Sequence, residues 1–445
     1  MRLSNRLLPL LTVLTVVLSQ HGVPSFLLRK SARDTLLASV KLKHDVFRFL
    51  MARPEMWPIL TGGTKLTTNS DSKIWSELGL SPTEMIEELG FPAETHQVTT
   101  EDGYVLTMHR IPHGSNLNGT AGGVPVLIQH GLLSSSADWL SVGEKSIAFM
   151  LADAGYDVWL GNIRGNTYSR EHTDPDISEE SYWNYSFDHH GKHDVPTMTN
   201  YILETTGYSK LFYIGHSQGT LMFWVSMDHH GQEFADKFYG MFALAPVAQL
   251  IHMKSPMKLL YPFVEEIEDT MTSNGIYSFL ASKDDLSGVC GQPEAAALCK
   301  YGIFLVCGWN EEQFDEDAFD YIIENVPSGT SLRNMVHLSQ SFGRPGLHKY
   351  DFGTLGNLEE YGQEEPPPYD LSKVTVPVYF IYSENDWLTD VLDVQWLAGQ
   401  LPNIVKETYI PGLFTHLDFI WAKDLDLLLN NEIIADMNLA LGNAA

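Results

Sequence analysis

Basic residues are scarce. The chain of 445 residues holds 28 Lys and Arg against 56 Asp and Glu, a net charge of −28. Such a surface repels phosphate backbones and excludes nucleic acid as a partner. Cysteine is scarcer still, with Cys290, Cys299 and Cys307 alone. Three cysteines allow one disulfide and leave one thiol over. That arithmetic fits an oxidising compartment, whereas three reduced thiols suit the cytosol better. Beyond the amino terminus no apolar run is long enough to cross a bilayer, so no transmembrane segment is expected. Long polar low-complexity tracts are missing too. With 44% hydrophobic residues, the chain reads as globular, with room for one large domain carrying insertions or for two domains.

What basic charge there is gathers at the start. Residues 1–78 hold eleven Lys and Arg and five acids, which leaves the body at −34. Arg2 and Arg6 precede the apolar run Leu7–Leu18, and Val17 and Ser19 are small. This is the pattern of a signal peptide over residues 1–19, cleaved after Ser19. Residues 20–75 form a basic leader or pro-segment. Within it, Leu36, Val40, Phe47 and Leu50 can share one helical face. The alternatives are a surface helix, a disordered leader and a membrane-surface helix. Cys307 sits in the apolar run GIFLVCGW and is expected to be buried and inert. Cys290 is therefore paired with Cys299. Two sequons, Asn118 in NGT and Asn184 in NYS, are candidate glycosylation sites.

From about residue 100, short apolar runs alternate with helical patterns. Val124–Gln129, Tyr156–Gly161, Lys210–Gly215, Gly240–Ala245 and Val376–Tyr382 read as strands covered on both faces. Lys145–Ala154, Val195–Thr206 and Thr220–His230 read as helices between them. This is an α/β pattern with a mainly parallel sheet and helices on both faces. The rhythm breaks over residues 247–346, which read as a mostly helical cap or lid inserted between sheet segments 76–246 and 347–435.

The stretch IGHSQGT follows the strand pattern KLFYIG at once and opens a helical one. That is the setting of the G-x-S-x-G nucleophile elbow, in which Ser217 stands on a sharp turn. Gly215 and Gly219 leave no side chains to collide there. A serine needs a base, and the order in this setting is serine, acid, histidine. Beyond the last strong strand one histidine remains, His416 in FTHLDFIW. Its bland reading is a satisfied core histidine. For the acid, Asp386 is chosen from the strand end, with Glu384, Asp390 and Asp393 as competitors. Asp390 can equally cap the next helix. QHGLLSS follows another strand, so the backbone N–H groups of Leu132 and Gln218 are the candidate oxyanion donors. A competing cluster is DHHGKHD, with His189, His190 and His193. It lacks the H-E-x-x-H spacing of a zinc helix and reads as a solvated helix entry, so no metal is expected.

Together these segments resemble the acid lipase family of α/β-hydrolases. The matching stretches are QHGLLSSSADW, LADAGYDVWLGNIRGNTYSR, YIGHSQGT, ALAPVA, NDWLTD and THLDFIW, spread over about residues 76 to 430. IRGN stands where SRGN is expected, and the basic leader is longer than the family's. The resemblance implies an α/β-hydrolase fold with Ser217 as nucleophile, Asp386 as acid, His416 as base, and Leu132 and Gln218 as oxyanion amides. It also implies a Cys290–Cys299 disulfide with Cys307 free, a cap over a lipid cleft, and no cofactor. The implied activity is hydrolysis of triacylglycerols or steryl esters at a lipid–water interface, by a secreted glycoprotein or a lysosomal one. The alternatives are a carboxylesterase on small soluble esters, an acyltransferase, and a non-catalytic lipid carrier on the same fold.

Overall fold

The computed structural model describes residues 80–115, 122–281 and 293–442. The signal peptide and leader, Asn118 and Cys290 lie outside these residues.

Eight strands form the main path of the sheet. They are β1 (Glu94–Thr99), β2 (Tyr104–Ile111), β3 (Pro125–Gln129), β4 (Asp157–Gly161), β5 (Leu211–His216), β6 (Phe238–Leu244), β7 (Val378–Ser383) and β8 (Ile404–Ile410). Their spatial order is β1-β2-β4-β3-β5-β6-β7-β8. β1 pairs β2 and β2 pairs β4 antiparallel; every later pair is parallel. The strands at the centre are apolar throughout because helices cover both faces. All residues of β3, β4 and β5 are buried. The edge strands β1 and β8 alternate half-buried with exposed positions, as strands covered on one face do.

Connection direction decides which face each helix covers. β3 leads leftward in the sheet to β4 through α1 (Ile147–Asp153). β4 leads rightward to β5 through α2 (Val195–Thr206), and β5 to β6 through α3 (Gln218–Ala235). Right-handed crossovers running in opposite directions place their helices on opposite faces. The cores agree. Met198 of α2 and Phe223 and Trp224 of α3 join one apolar cluster with Trp159 and Phe380. Phe149 of α1 joins the other, with Ile128, Phe212 and Trp421. Gly207 ends α2 in the left-handed conformation, the usual stop for a helix. α3 is broken at Gly231, which has φ +63°, so its regular part ends where the sequence pattern does.

After Leu244 the chain leaves the sheet and rejoins it at Val378. The excursion includes α4 (Val264–Ser273), α5 (Pro293–Cys307) and α6 (Leu332–Gln340). A short antiparallel pair, Ser278–Phe279 with Thr330–Ser331, ties it together. Beyond β7 come α7 (Val391–Ala398) and the carboxyl-terminal α8 (Asn431–Ala440).

Candidate active site

Ser217 stands between β5 and α3 with φ +53° and ψ −122°. A non-glycine residue with positive φ is uncommon and costs of order 1–3 kcal/mol, which the surroundings must outweigh. Here its N–H donates to the Leu244 carbonyl at 3.0 Å, pinning the turn to the neighbouring strand end. The flanking glycines are required by space. A Cβ on Gly215 would stand 2.8 Å from the Gly219 backbone, and one on Gly219 would stand 2.4 Å from the Gln129 carbonyl oxygen.

The three residues singled out for acyl transfer meet here. His416 Nε2 lies 2.8 Å from Ser217 Oγ, and His416 Nδ1 lies 2.8 Å from Asp386 Oδ2. Asp386 follows β7 and is buried. The N–H groups of Leu388 and Thr389 both donate to its Oδ1 at 2.8 Å, and the Thr389 hydroxyl donates to Oδ2. Burial pushes this carboxyl up, but the His416 charge and these hydrogen bonds outweigh it and hold the group below its ordinary value. The competing acids are occupied elsewhere. Asp390 caps α7 through the Leu392 N–H at 2.9 Å and pairs with Lys254. Asp393 holds Gln249 and His252. Glu384 accepts from the Tyr409 hydroxyl.

The groups that hold His416 are backbone atoms or side chains that the G-x-S-x-G pattern does not specify. Its N–H donates to the Cys307 carbonyl at 3.2 Å, at the end of α5. The same carbonyl takes the Trp387 N–H at 3.3 Å. The His416 carbonyl lies 2.8 Å from His216 Nε2, which must therefore carry a proton. Burial, with His416 adding to it, pushes the His216 imidazole down to about 3, so it stays neutral. Asp418 accepts from the Thr415 N–H at 2.7 Å and from Asn310 Nδ2 at 2.8 Å, and burial raises its carboxyl to about 6.

On the opposite side, Gly131 lies against the serine. A Cβ on it would stand 3.1 Å from Ser217 Cβ. Leu132 and Gln218 lie on either side of this contact. Among the described residues neither amide N–H has a protein acceptor. The Gln218 side chain is itself anchored. Its Oε1 accepts from Asn334 Nδ2 of α6 at 2.9 Å, and its Nε2 lies 3.4 Å from His190 Nδ1.

Two expectations need correction. The stretch DHHGKHD is no solvated helix entry. His190 and Asp194 are fully buried. Asp194 pairs with the buried guanidinium of Arg164 at 2.7 Å, and Asp102 closes the other side at 2.6 Å. Asp188 accepts from the Tyr369 hydroxyl and lies 2.9 Å from His229 Nε2. The acids and Arg164 bind two layers of the fold, and among the described residues no group of metal-ligating side chains occurs. Cys307 is a free thiol, but half-buried rather than buried. Desolvation of its sulfur, with Asp386 and Asp418 adding, raises it far above an ordinary thiol, so it remains protonated. Asn184 is exposed, and its Oδ1 accepts from Arg333.

The sequence model of the α/β-hydrolase fold matches residues 124–423, and that of a partial α/β-hydrolase lipase region matches residues 82–143. The human lysosomal acid lipase/cholesteryl ester hydrolase is 38% identical over 365 residues, covering 80% of this chain and 90% of that protein. The rat gastric triacylglycerol lipase is 35% identical over 394 residues, covering 86% and 99%. Lipase 3 of Drosophila melanogaster is 38% identical over 362 residues, covering 80% and 92%. A solved structure from Sulfolobus solfataricus superposes with a TM-score of 0.53 at 14% identity, covering 79% of this chain and 95% of that one, which is likeness of fold alone. The chain is a carboxylic ester hydrolase of the α/β-hydrolase fold and belongs to the family that holds the lysosomal acid and gastric lipases.

Proposed function

We propose that the protein hydrolyses esters of neutral lipids through a serine acyl-enzyme. The observation that carries this reading is the unbroken chain of 2.8 Å contacts from Ser217 through His416 to Asp386. Asp386 accepts from Nδ1, which leaves Nε2 free of a proton and able to take one from Ser217. The serine oxygen attacks the ester carbonyl. The amides of Leu132 and Gln218 receive the oxyanion. His416 returns its proton to the departing alcohol, and water releases the fatty acid by the same roles in reverse.

The substrate class follows the relatives, whose names specify triacylglycerol and cholesteryl esters. We read residues 247–346, within the excursion between β6 and β7, as a cap over an acyl cleft, with 76–246 and 347–435 as the core. The basic amino-terminal pattern and the relatives together support a secreted or lysosomal lumenal setting. There a Cys290–Cys299 disulfide and glycans on Asn118 and the exposed Asn184 are compatible chemistry.

The test is fatty-acid release from emulsified long-chain triacylglycerol and steryl ester, beside a soluble short-chain ester. The expected outcome is release from the emulsion that falls at least about 10³-fold in Ser217→Ala. Release confined to the soluble ester would make the protein an esterase. Serine-independent release would sink the mechanism, and no release from folded protein would favour a lipid carrier.

A further inference from the structure

The Leu132 amide is held in place by a histidine whose proton is fixed by an asparagine. Both lie outside the Ser217–His416–Asp386 chain. The inference rests on the serine reading above and deepens it.

His130 is buried, and its Nδ1 lies 2.8 Å from the Gly131 carbonyl oxygen. Its Nε2 faces two groups, the Ile163 N–H at 3.4 Å and Asn166 Nδ2 at 3.1 Å. The orientation of Asn166 is set by backbone donors of known polarity. The Tyr168 N–H donates to Asn166 Oδ1 at 3.0 Å. The Ser136 N–H donates to Asn162 Oδ1 at 2.9 Å, and Asn166 Nδ2 donates to that same oxygen at 2.8 Å. Asn162 Nδ2 in turn donates to the Thr107 carbonyl at 3.0 Å. Each amide is thus locked, and Asn166 presents N–H to His130. A ring nitrogen facing two donors is an acceptor, so the imidazole proton lies on Nδ1. Burial lowers this imidazole to about 4, which keeps it neutral through the weakly acidic range.

The consequence is geometric. A trans peptide is planar, with its C=O and N–H directed oppositely. The Gly131–Leu132 peptide gives its C=O to His130 Nδ1–H, so the Leu132 N–H is turned the other way. Gly131 lies against Ser217, so that amide is held beside the reacting serine. We propose that His130 and Asn166 are positioning residues for the oxyanion donor: Asn166 holds His130 as the Nδ1–H tautomer, and that proton pins the Gly131 carbonyl and aims the Leu132 amide. If the tautomer were reversed, two lone pairs would face one another at 2.8 Å and the peptide would turn.

Asn166→Asp tests this with little change in shape. A carboxylate accepts where the amide donates, so it draws the His130 proton to Nε2. On the soluble ester, kcat falls about 10- to 10²-fold while KM stays within about twofold, short of the roughly 10²–10³-fold for deleting a donor outright. Affinity for an alkyl boronic acid, which forms a tetrahedral adduct with the serine, falls by the same factor. Asn166→Gln, which keeps the donor, retains more of both than Asn166→Asp. Loss of thermal stability with unchanged kcat per folded molecule would overturn the proposal. A second measurement stands apart from activity and from the folding of any variant at Asn166. Nitrogen NMR of ¹⁵N-histidine wild-type protein, with the signal identified by its loss in His130→Gln, should show a protonated Nδ1 and bare Nε2. The Nε2–H tautomer there would refute it. Wild-type activity in Ser217→Ala would fail the underlying mechanism separately, and the tautomer result would be unaffected.

Discussion

Asp386, Asp390 and Asp393 are near neighbours in the chain, and each carboxylate has its own occupation. Asp386 holds His416, Asp390 caps α7, and Asp393 holds His252 and Gln249. Exchange of each has a separate signature. Asp386→Asn keeps the shape but favours the wrong histidine tautomer, and kcat is expected to fall about 10³–10⁴-fold. Asp390→Ala removes a helix cap and an ion pair. It is expected to cost about 1 kcal/mol of stability and leave kcat within about twofold. Steady-state kinetics beside denaturant titration would check both, and a large kcat loss in Asp390→Ala would reopen the choice of acid. From sequence the strand end favoured Asp386, yet it could not separate the three, because their partners Lys254, Gln249 and His252 come from the excursion after β6. His416 was legible for a different reason: the required chain order left one histidine. His130 and Asn166 were visible only as the flanks of QHGLL and IRGN. Their meeting joins two strand ends that sequence places 36 residues apart.

The elbow element is set by crowding as much as by hydrogen bonds. A methyl group on Gly219 meets the Gln129 carbonyl, a rigid backbone atom at the end of β3. Gly219→Ala should therefore push α3 away from β3, destabilise the fold by about 1–3 kcal/mol and lower kcat by moving Ser217. Calorimetry and ester kinetics would test it, and unchanged values in both would mean that the turn has slack that these contacts deny. The elements easiest to find in the sequence were those buried on both faces. β3 to β7 carry continuous apolar runs, and the structure places them within a few residues of the expected bounds. The edge strands were missed. In ETHQVT and IVKETYI every second residue faces outward, and polar groups at those places break the apolar run. DHHGKHD was misread because its charges looked solvated. Arg164, which neutralises Asp194 inside the fold, comes from a distant loop.

Across the whole molecule the acid excess is large, and one buried carboxyl shapes how stability follows pH. Burial raises Asp138 to about 7, although the Ser134 hydroxyl donates to it. An acid raised in the folded state stabilises folding fully below its unfolded value, near 4. That contribution is lost as pH rises through about 7. Asp138→Asn keeps the acceptor for Ser134 and removes the titration. The variant should match wild type near pH 4 and exceed it near pH 8 by up to about 4 kcal/mol. Urea titrations at the two pH values would measure this, and a constant difference would show that Asp138 does not carry the slope. The same scale explains what the fold class owed to sequence. Alternating strand and helix patterns fixed a parallel sheet, and crossover handedness distributed the helices.

The Cys307 carbonyl, at the foot of α5, takes the backbone N–H groups of both Trp387 and His416. One carbonyl from the excursion thus clasps the Asp386 loop to the His416 loop. An exchange of this region between relatives, made to transplant substrate preference, would displace the clasp if the new segment ended its helix elsewhere than at residue 307. Such chimaeras would lose turnover on every ester alike, and the loss would be mistaken for a poor fit of the new pocket. Breakpoints that keep the carboxyl-terminal turn of α5 with the sheet leave the clasp intact.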